Sequence, residues 1–235
     1  MTAQITATGA AIQGRLEPCD LAFEPGTVTM LVGPNGAGKT SLLHALAGLP
    51  VATGEICIGG EEIAKFSPGR RLRYLSFLGA SRAINWPLLA RDYVALGLPA
   101  GAPRESVDTV LQSLDAEGFA DRRLDQLSTG ERSRVMIARA LAPSALALLL
   151  DEPCANLDPQ WQLTILERLG AEAAGGATVI LSIHDLELAR HYGDRIIVID
   201  GGHIVEDGPP DVALSADNLG SVFGVARKND HWTRV

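Results

Sequence analysis

The sequence predicts an α/β fold in which a parallel-sheet core is interrupted by a mostly helical insertion. Three observations point there. Residues 28–32, 145–150, 178–181 and 196–199 are continuous apolar runs. Runs without polar alternation suit strands covered on both faces, as in a parallel sheet. The first run leads through a glycine-rich loop into a helical pattern. Between residues 81 and 145, Pro87, Pro99 and Pro103 separate helical patterns, with Val107, Val110, Leu111 and Leu114 at helical spacing.

Taken in order, residues 1–32 hold short β-like pieces with a turn at Glu24-Pro25-Gly26. Val28-Thr29-Met30-Leu31-Val32 reads as a buried strand, and residues 41–47 as a helix. Residues 53–60 read as a strand between glycine turns. Arg70, Arg71 and Arg73 are expected on a solvated surface turn. A helix is expected from Ser128 to about Leu141. From residue 145 strand–helix alternation returns, and the tail from Ser215 carries Leu219, Val222 and Phe223, a pattern for docking on the core. No internal repeat or low-complexity segment interrupts this plan.

Composition narrows the function. The chain has 235 residues, enough for one large α/β domain or a domain with an insertion. Apolar residues make up 46% and charged residues 20%, so a sizeable core can form. A net charge of −8 argues against general nucleic-acid binding, which needs a basic face. Residues 1–5 lack the pattern of a signal peptide, and no apolar run is long enough to span a bilayer. Cys19, Cys57 and Cys154 show no metal spacing and are expected to be reduced thiols, as in a cytoplasmic protein.

The chemistry centres on Gly33-Pro34-Asn35-Gly36-Ala37-Gly38-Lys39-Thr40. Glycines let the backbone turn its N–H groups inward around an anion, and the following helix N-terminus adds partial positive charge. Lys39 is placed to reach β- and γ-phosphates and Thr40 to hold Mg²⁺. A plain glycine turn would need neither Lys39 nor three glycines. The apolar run 145–150 ends in Asp151-Glu152, at a strand end where ligands bind in open α/β sheets. Asp151 is suited to the Mg²⁺ shell and Glu152 to activating water. An Asp-Glu pair alone would be a capping turn; the phosphate loop tips the reading.

Ser128 with Glu131 forms a capping-box pattern, and the same helix start, with Gly130, offers a second anion site. Asp158 before Pro159 reads as a helix cap. His184 stands at the end of the run 178–182. Ser182, His184 and Asp185 are too close in sequence to form a hydrolase triad, and there is no Gly-x-Ser-x-Gly turn. The other histidines, His44, His191, His203 and His231, have no ligand spacing.

Together these segments resemble the ATP-binding subunits of ABC transporters over nearly the whole chain. The phosphate loop matches the family's Walker A, Leu127-Ser128-Thr129-Gly130-Glu131 its signature, residues 146–152 its Walker B, Ala155-Asn156-Leu157-Asp158 its D-loop, and His184 its switch histidine. The segments His184-Asp185-Leu186-Glu187-Leu188-Ala189-Arg190, Asp194-Arg195 and residues 218–225 are similar to importers of iron-siderophore, haem or vitamin B12 type. The resemblance implies a P-loop NTPase fold. Residues 1–80 and 146–235 would form the nucleotide-binding core, with an N-terminal antiparallel β subdomain, and 81–145 a helical subdomain.

The resemblance further implies that residues Gly33, Pro34, Asn35, Gly36, Ala37, Gly38, Lys39, Thr40 and Ser41 bind ATP. Thr40 and Asp151 would hold Mg²⁺, and Glu152, His184 and Lys39 would serve hydrolysis. Ser128, Gly130 and Asp158 would meet the nucleotide across an ATP-sandwich homodimer. The partners implied are a second copy, transmembrane permease subunits and, indirectly, a solute-binding protein, at the cytoplasmic face of the cell membrane, with no nucleic acid. The insertion, including Trp86-Pro87, is expected to meet the permease.

Three departures from the family stand out. There is no glutamine between Gln13 and Gln112, so Ala80 or Phe77 takes the place of the usual Mg²⁺-sensing glutamine. There is no aromatic before Phe23 to stack on adenine, which leaves Arg15 or Leu16. Thr129 stands where the signature usually has glycine. A nucleotide-dependent regulatory module and a soluble non-transport relative remain as alternatives. A GTPase is disfavoured because no Asn-Lys-x-Asp segment occurs.

Overall fold

A computed structural model describes residues 4–80, 87–103, 105–228 and 231–234. Strands β1 (Ile5–Ile12) and β2 (Leu16–Phe23) form an antiparallel hairpin. Then come β3 (Val28–Val32), helix α1 (Lys39–Leu46), β4 (Thr53–Ile58), β5 (Glu61–Glu62), α2 (Pro68–Tyr74) and β6 (Leu75–Leu78). Helices α3 (Ala90–Ala95), α4 (Glu105–Gln112) and α5 (Thr129–Leu141) follow. The alternation resumes with β7 (Ala147–Leu150), α6 (Pro159–Ala174), β8 (Thr178–Ser182), α7 (Leu186–Tyr192), β9 (Arg195–Asp200) and β10 (His203–Gly208). Helices α8 (Pro210–Ala213) and α9 (Ala216–Phe223) lead to a hairpin of β11 (Val225–Lys228) and β12 (His231–Arg234).

The main sheet has six strands in the order β10-β9-β3-β8-β7-β6, parallel except for β10. A second, antiparallel sheet runs β2-β1-β4-β5. The apolar runs are explained by what covers each face. Met30 and Val32 of β3 join one cluster with Leu150, Leu181 and Val198, packed under α3, α4, α5 and α6. Leu31 points the other way, into a cluster with Leu149, Ile180 and Ile197, under α1 and the antiparallel sheet. With both faces buried, no position along β3 is left for a polar residue to face water. Truncating such a core leucine to alanine typically costs about 2–5 kcal/mol.

Residues 68–74 differ from the expectation of a surface turn. Ser67 caps them by accepting from Arg70 N–H, Pro68 sits in the first turn, and the segment is helical. Arg70 lies over the Phe66 and Tyr74 rings, 4.5 and 5.0 Å from their centroids, and pairs with Glu61 at 2.5 Å. Arg71 donates to the Ala47 carbonyl. Arg70 and Arg71 are thus tied to neighbours, while Arg73 is exposed as expected. The tail does dock: Leu219 is buried, and Val222 and Phe223 pack against the same cluster as α6.

The register places the chemistry. Leu31 pairs with Ser182 and Leu150 with Leu181, so β3, β7 and β8 end together. Gly33, Asp151 and His184 therefore leave the sheet at one edge, the carboxyl edge where open α/β sheets bind ligands.

Candidate functional site

The loop after β3 needs glycine for steric reasons at two positions. Gly33 has φ +154°, and a Cβ there would lie 2.0 Å from the Ile199 carbonyl oxygen. Gly38 has φ +116°, and a Cβ there would lie 3.0 Å from the Arg15 carbonyl oxygen. Gly38 also starts α1 with no side-chain cap and no acid in the first turn. Helix N–H groups and their dipole are thus left for an anion.

Lys39 lies back along the loop, its Nζ donating to the carbonyls of Gly33 at 2.8 Å and Pro34 at 2.9 Å. Burial pushes its ammonium below the usual lysine range, against the opposing pull of Glu152 and Asp151. Next to it the Thr40 hydroxyl donates to Asp151 Oδ2 at 2.7 Å. Asp151 is fully buried, its N–H donating to the Leu78 carbonyl at 2.8 Å and its Oδ1 accepting from the Ser182 hydroxyl at 2.6 Å. Glu152 takes a left-handed backbone, φ +50°, and its N–H donates to Ser182 Oγ at 2.8 Å. Its Oε1 lies 2.6 Å from His184 Nε2.

Asn35, Gly36, Ala37, Ser41 and Glu152 join Gly38, Lys39 and Thr40 around a cavity of about 590 Å³. That volume is in the range of small-molecule sites. Its far wall is the β1–β2 turn, through Gly14 and Arg15, with Glu17 at the start of β2 and Gly201 and Gly202 of the β9–β10 turn. Backbone bonds tie these pieces together: Glu17 N–H donates to Gly202 O and Gly202 N–H to Ala37 O. Of the two candidates for the base, Arg15 is exposed on this wall, whereas Leu16 is buried in the cluster under α1.

Other residues singled out from the sequence stand apart. Ser128 caps α5 in a full capping box, with Glu131 N–H donating to Ser128 Oγ at 3.3 Å and Ser128 N–H to Glu131 Oε2 at 2.8 Å. Asp158 caps α6 by accepting from Trp161 N–H at 3.0 Å. Neither they nor Gly130 line the cavity. Phe77 lies within β6 and meets His44 edge-on, with ring centroids 5.6 Å apart. Ala80 lies two residues past the end of β6, the strand whose Leu78 binds Asp151. Trp86 lies outside the described residues.

The sequence reading did not foresee Ser182 as a partner of both carboxylate residues, nor the Gly201-Gly202 wall. A serine two residues before a strand-end histidine, and a glycine pair between two strands, were the available signals.

A family model for "ABC transporter" matches residues 16–155. The chain belongs to the ABC transporter family. Among its relatives, the hemin import ATP-binding protein HmuV of Nocardia farcinica is 38% identical, covering 88% of this chain and 75% of that one. HmuV of Rhizobium meliloti is 37% identical over 89% of this chain and 85% of its own length. Among solved structures, a dimeric ATP-binding cassette in a post-hydrolysis state bound to ADP and Pi superposes with a TM-score of 0.78. It is 26% identical and covers 88% of this ABC chain and 98% of its own.

Proposed function

We propose that this chain is the ATP-hydrolysing subunit of an ABC importer that takes up haem. The observation that carries the ATPase reading is the grouping of Lys39, Thr40–Asp151 and Glu152–His184 at the mouth of one sheet. The hemin-import relatives narrow the substrate to haem from the wider set of metal chelates, haem and cobalamin. Residues 1–80 and 146–235 serve as the nucleotide-binding core, and 81–145 as the helical part turned to the permease.

Lys39 exchanges its loop carbonyls for the β- and γ-phosphate oxygens. Thr40 and Asp151 offer a hydroxyl and a carboxylate, hard oxygen donors suited to Mg²⁺. No cluster of three His, Cys, Asp or Glu occurs among the described residues, which fits an ion held largely by phosphate and water. When bound, Mg²⁺ supplies neutralisation of the charge on the transferring phosphoryl group. Glu152 takes a proton from the attacking water, and His184, at 2.6 Å, holds that carboxylate in place. Ser128 and Gly130, which lie outside their own chain's cavity, contact the γ-phosphate bound to a second copy, a reading supported by the dimeric ATP-binding cassette among the solved structures.

No helix among the described residues is long and apolar enough to cross a membrane. The importer relatives support permease subunits as its partners, at the cytoplasmic face of the membrane, with a solute-binding protein delivering haem to them.

The test compares ATP turnover of the wild type with Glu152→Gln. Loss of the base should lower kcat by roughly 10²–10⁴-fold. A wild type no faster than the variant would leave only an ATP-dependent regulatory module. Haem uptake into vesicles bearing the co-purified permease should fail with the same variant.

A further inference from the structure

One buried hydroxyl joins the two carboxylate residues. Ser182, the last residue of β8, is fully buried. Its Oγ donates to Asp151 Oδ1 at 2.6 Å and accepts the Glu152 N–H at 2.8 Å. Thr40 takes the other oxygen of the same carboxylate at 2.7 Å. Asp151 is therefore clamped between two hydroxyls, one on the phosphate loop's helix and one on the neighbouring strand. The same Ser182 oxygen holds the peptide N–H of Glu152, where the chain turns left-handed at φ +50°. That conformation is uncommon for residues other than glycine and persists where surrounding bonds impose it. It sends the Glu152 side chain to His184, 2.6 Å away.

We infer that Ser182 is a positioning residue for ATP hydrolysis, setting with one hydroxyl both the aim of Asp151 at Thr40 and the turn that points Glu152 at the water. The inference rests on the ATPase reading of this site. Ser182 itself lies outside the wall of the nucleotide cavity, so it acts through its two neighbours rather than on the substrate. Cavity-lining residues would be expected to affect ATP affinity; Ser182 should affect the chemical step.

The experiment uses Ser182→Ala, which removes the hydroxyl, and Ser182→Cys, which puts a somewhat larger thiol, a weak donor and acceptor, in its place. Outer-shell partners of this kind are worth about 10–100-fold in activity or metal affinity. Both variants should lose about that factor in kcat. Both should need more Mg²⁺ for half-maximal rate, while equilibrium ATP binding measured in EDTA stays within about threefold of wild type. If alanine fails to fold, cysteine decides alone. A kcat within threefold of wild type overturns the inference, and so does a parallel loss of EDTA-measured ATP binding and thermal midpoint, which marks a purely structural serine. A wild type with no more turnover than Glu152→Gln overturns the ATPase reading instead.

Discussion

Helices α1 and α5 both begin among glycine and hydroxyl residues, but their N-termini are finished in opposite ways. The first is capped by Gly38, has no side-chain cap and carries no acid in its first turn. Its positive end stays open to an anion from outside. The second is closed on itself: Ser128 and Glu131 satisfy each other's backbone N–H, and Arg122 pairs with Glu131 at 2.8 Å. Hydrogen bonding from the Ser128 backbone, with the Arg122 guanidinium helping, holds the Glu131 carboxyl below its usual range. There the Glu131 carboxylate already accepts the Ser128 N–H that an anion would otherwise take. One helix start is therefore left open to a ligand. The other stabilises its own helix and can take a phosphate only in competition with Glu131. That contrast suits a nucleotide held by the first helix start and met by the second from another copy.

The contrast is broken most directly at Lys39. Lys39→Ala removes at least two charge-assisted bonds at the open helix start, and ATP binding should weaken by about 100-fold or more. A fluorescent-nucleotide titration reads this, and affinity within threefold of wild type would move the phosphate site elsewhere. At the closed helix start the expected effect is smaller and of another kind. Ser128→Ala should cost about 1 kcal/mol of stability through the lost cap, or roughly 2–4 °C in Tm. ATP affinity of the monomer should hold, while ATP-driven dimer formation weakens. If monomer affinity falls as well, α5 belongs to its own chain's cavity and the contrast is gone.

The legible half of this molecule is the half where local pattern and burial coincide. β3, β7, β8 and β9 announce themselves because both faces are covered, so the side chains in the strand interior are apolar except for the buried Thr29. The phosphate loop is legible for a related reason: Gly33 and Gly38 answer to close backbone contacts that admit no side chain. Helix α2 was hidden because its three arginines dominate the composition, although Ser67-Pro68 gave a start signal. The Ser182 clamp was hidden because its partners lie 31 and 30 residues away, in the turn that follows the neighbouring strand β7. Hydrogen bonds between strands joined through a crossover helix leave no periodic trace in a sequence.

The cavity's far wall sharpens the contrast from the other end of the nucleotide. Around the phosphates the protein offers main-chain N–H groups and a lysine held by two carbonyls. On the far wall, where we place the base, it offers Arg15 and Glu17, neither of which makes a side-chain hydrogen bond or ion pair among the described residues, and no aromatic ring. A planar guanidinium can cover a purine face, and a cation over a π system at an exposed site contributes about 0.5–1 kcal/mol. Arg15→Ala should therefore raise KM for ATP about 2–5-fold, with the loss in KM rather than kcat because the base is bound alike in ground and transition states. The effect is small against that of Lys39→Ala because the triphosphate end holds the affinity. An unchanged KM would mean that the base lies off this wall, and the glycine pair Gly201-Gly202, which closes it through Gly202 and Ala37, would then serve only to support the phosphate loop.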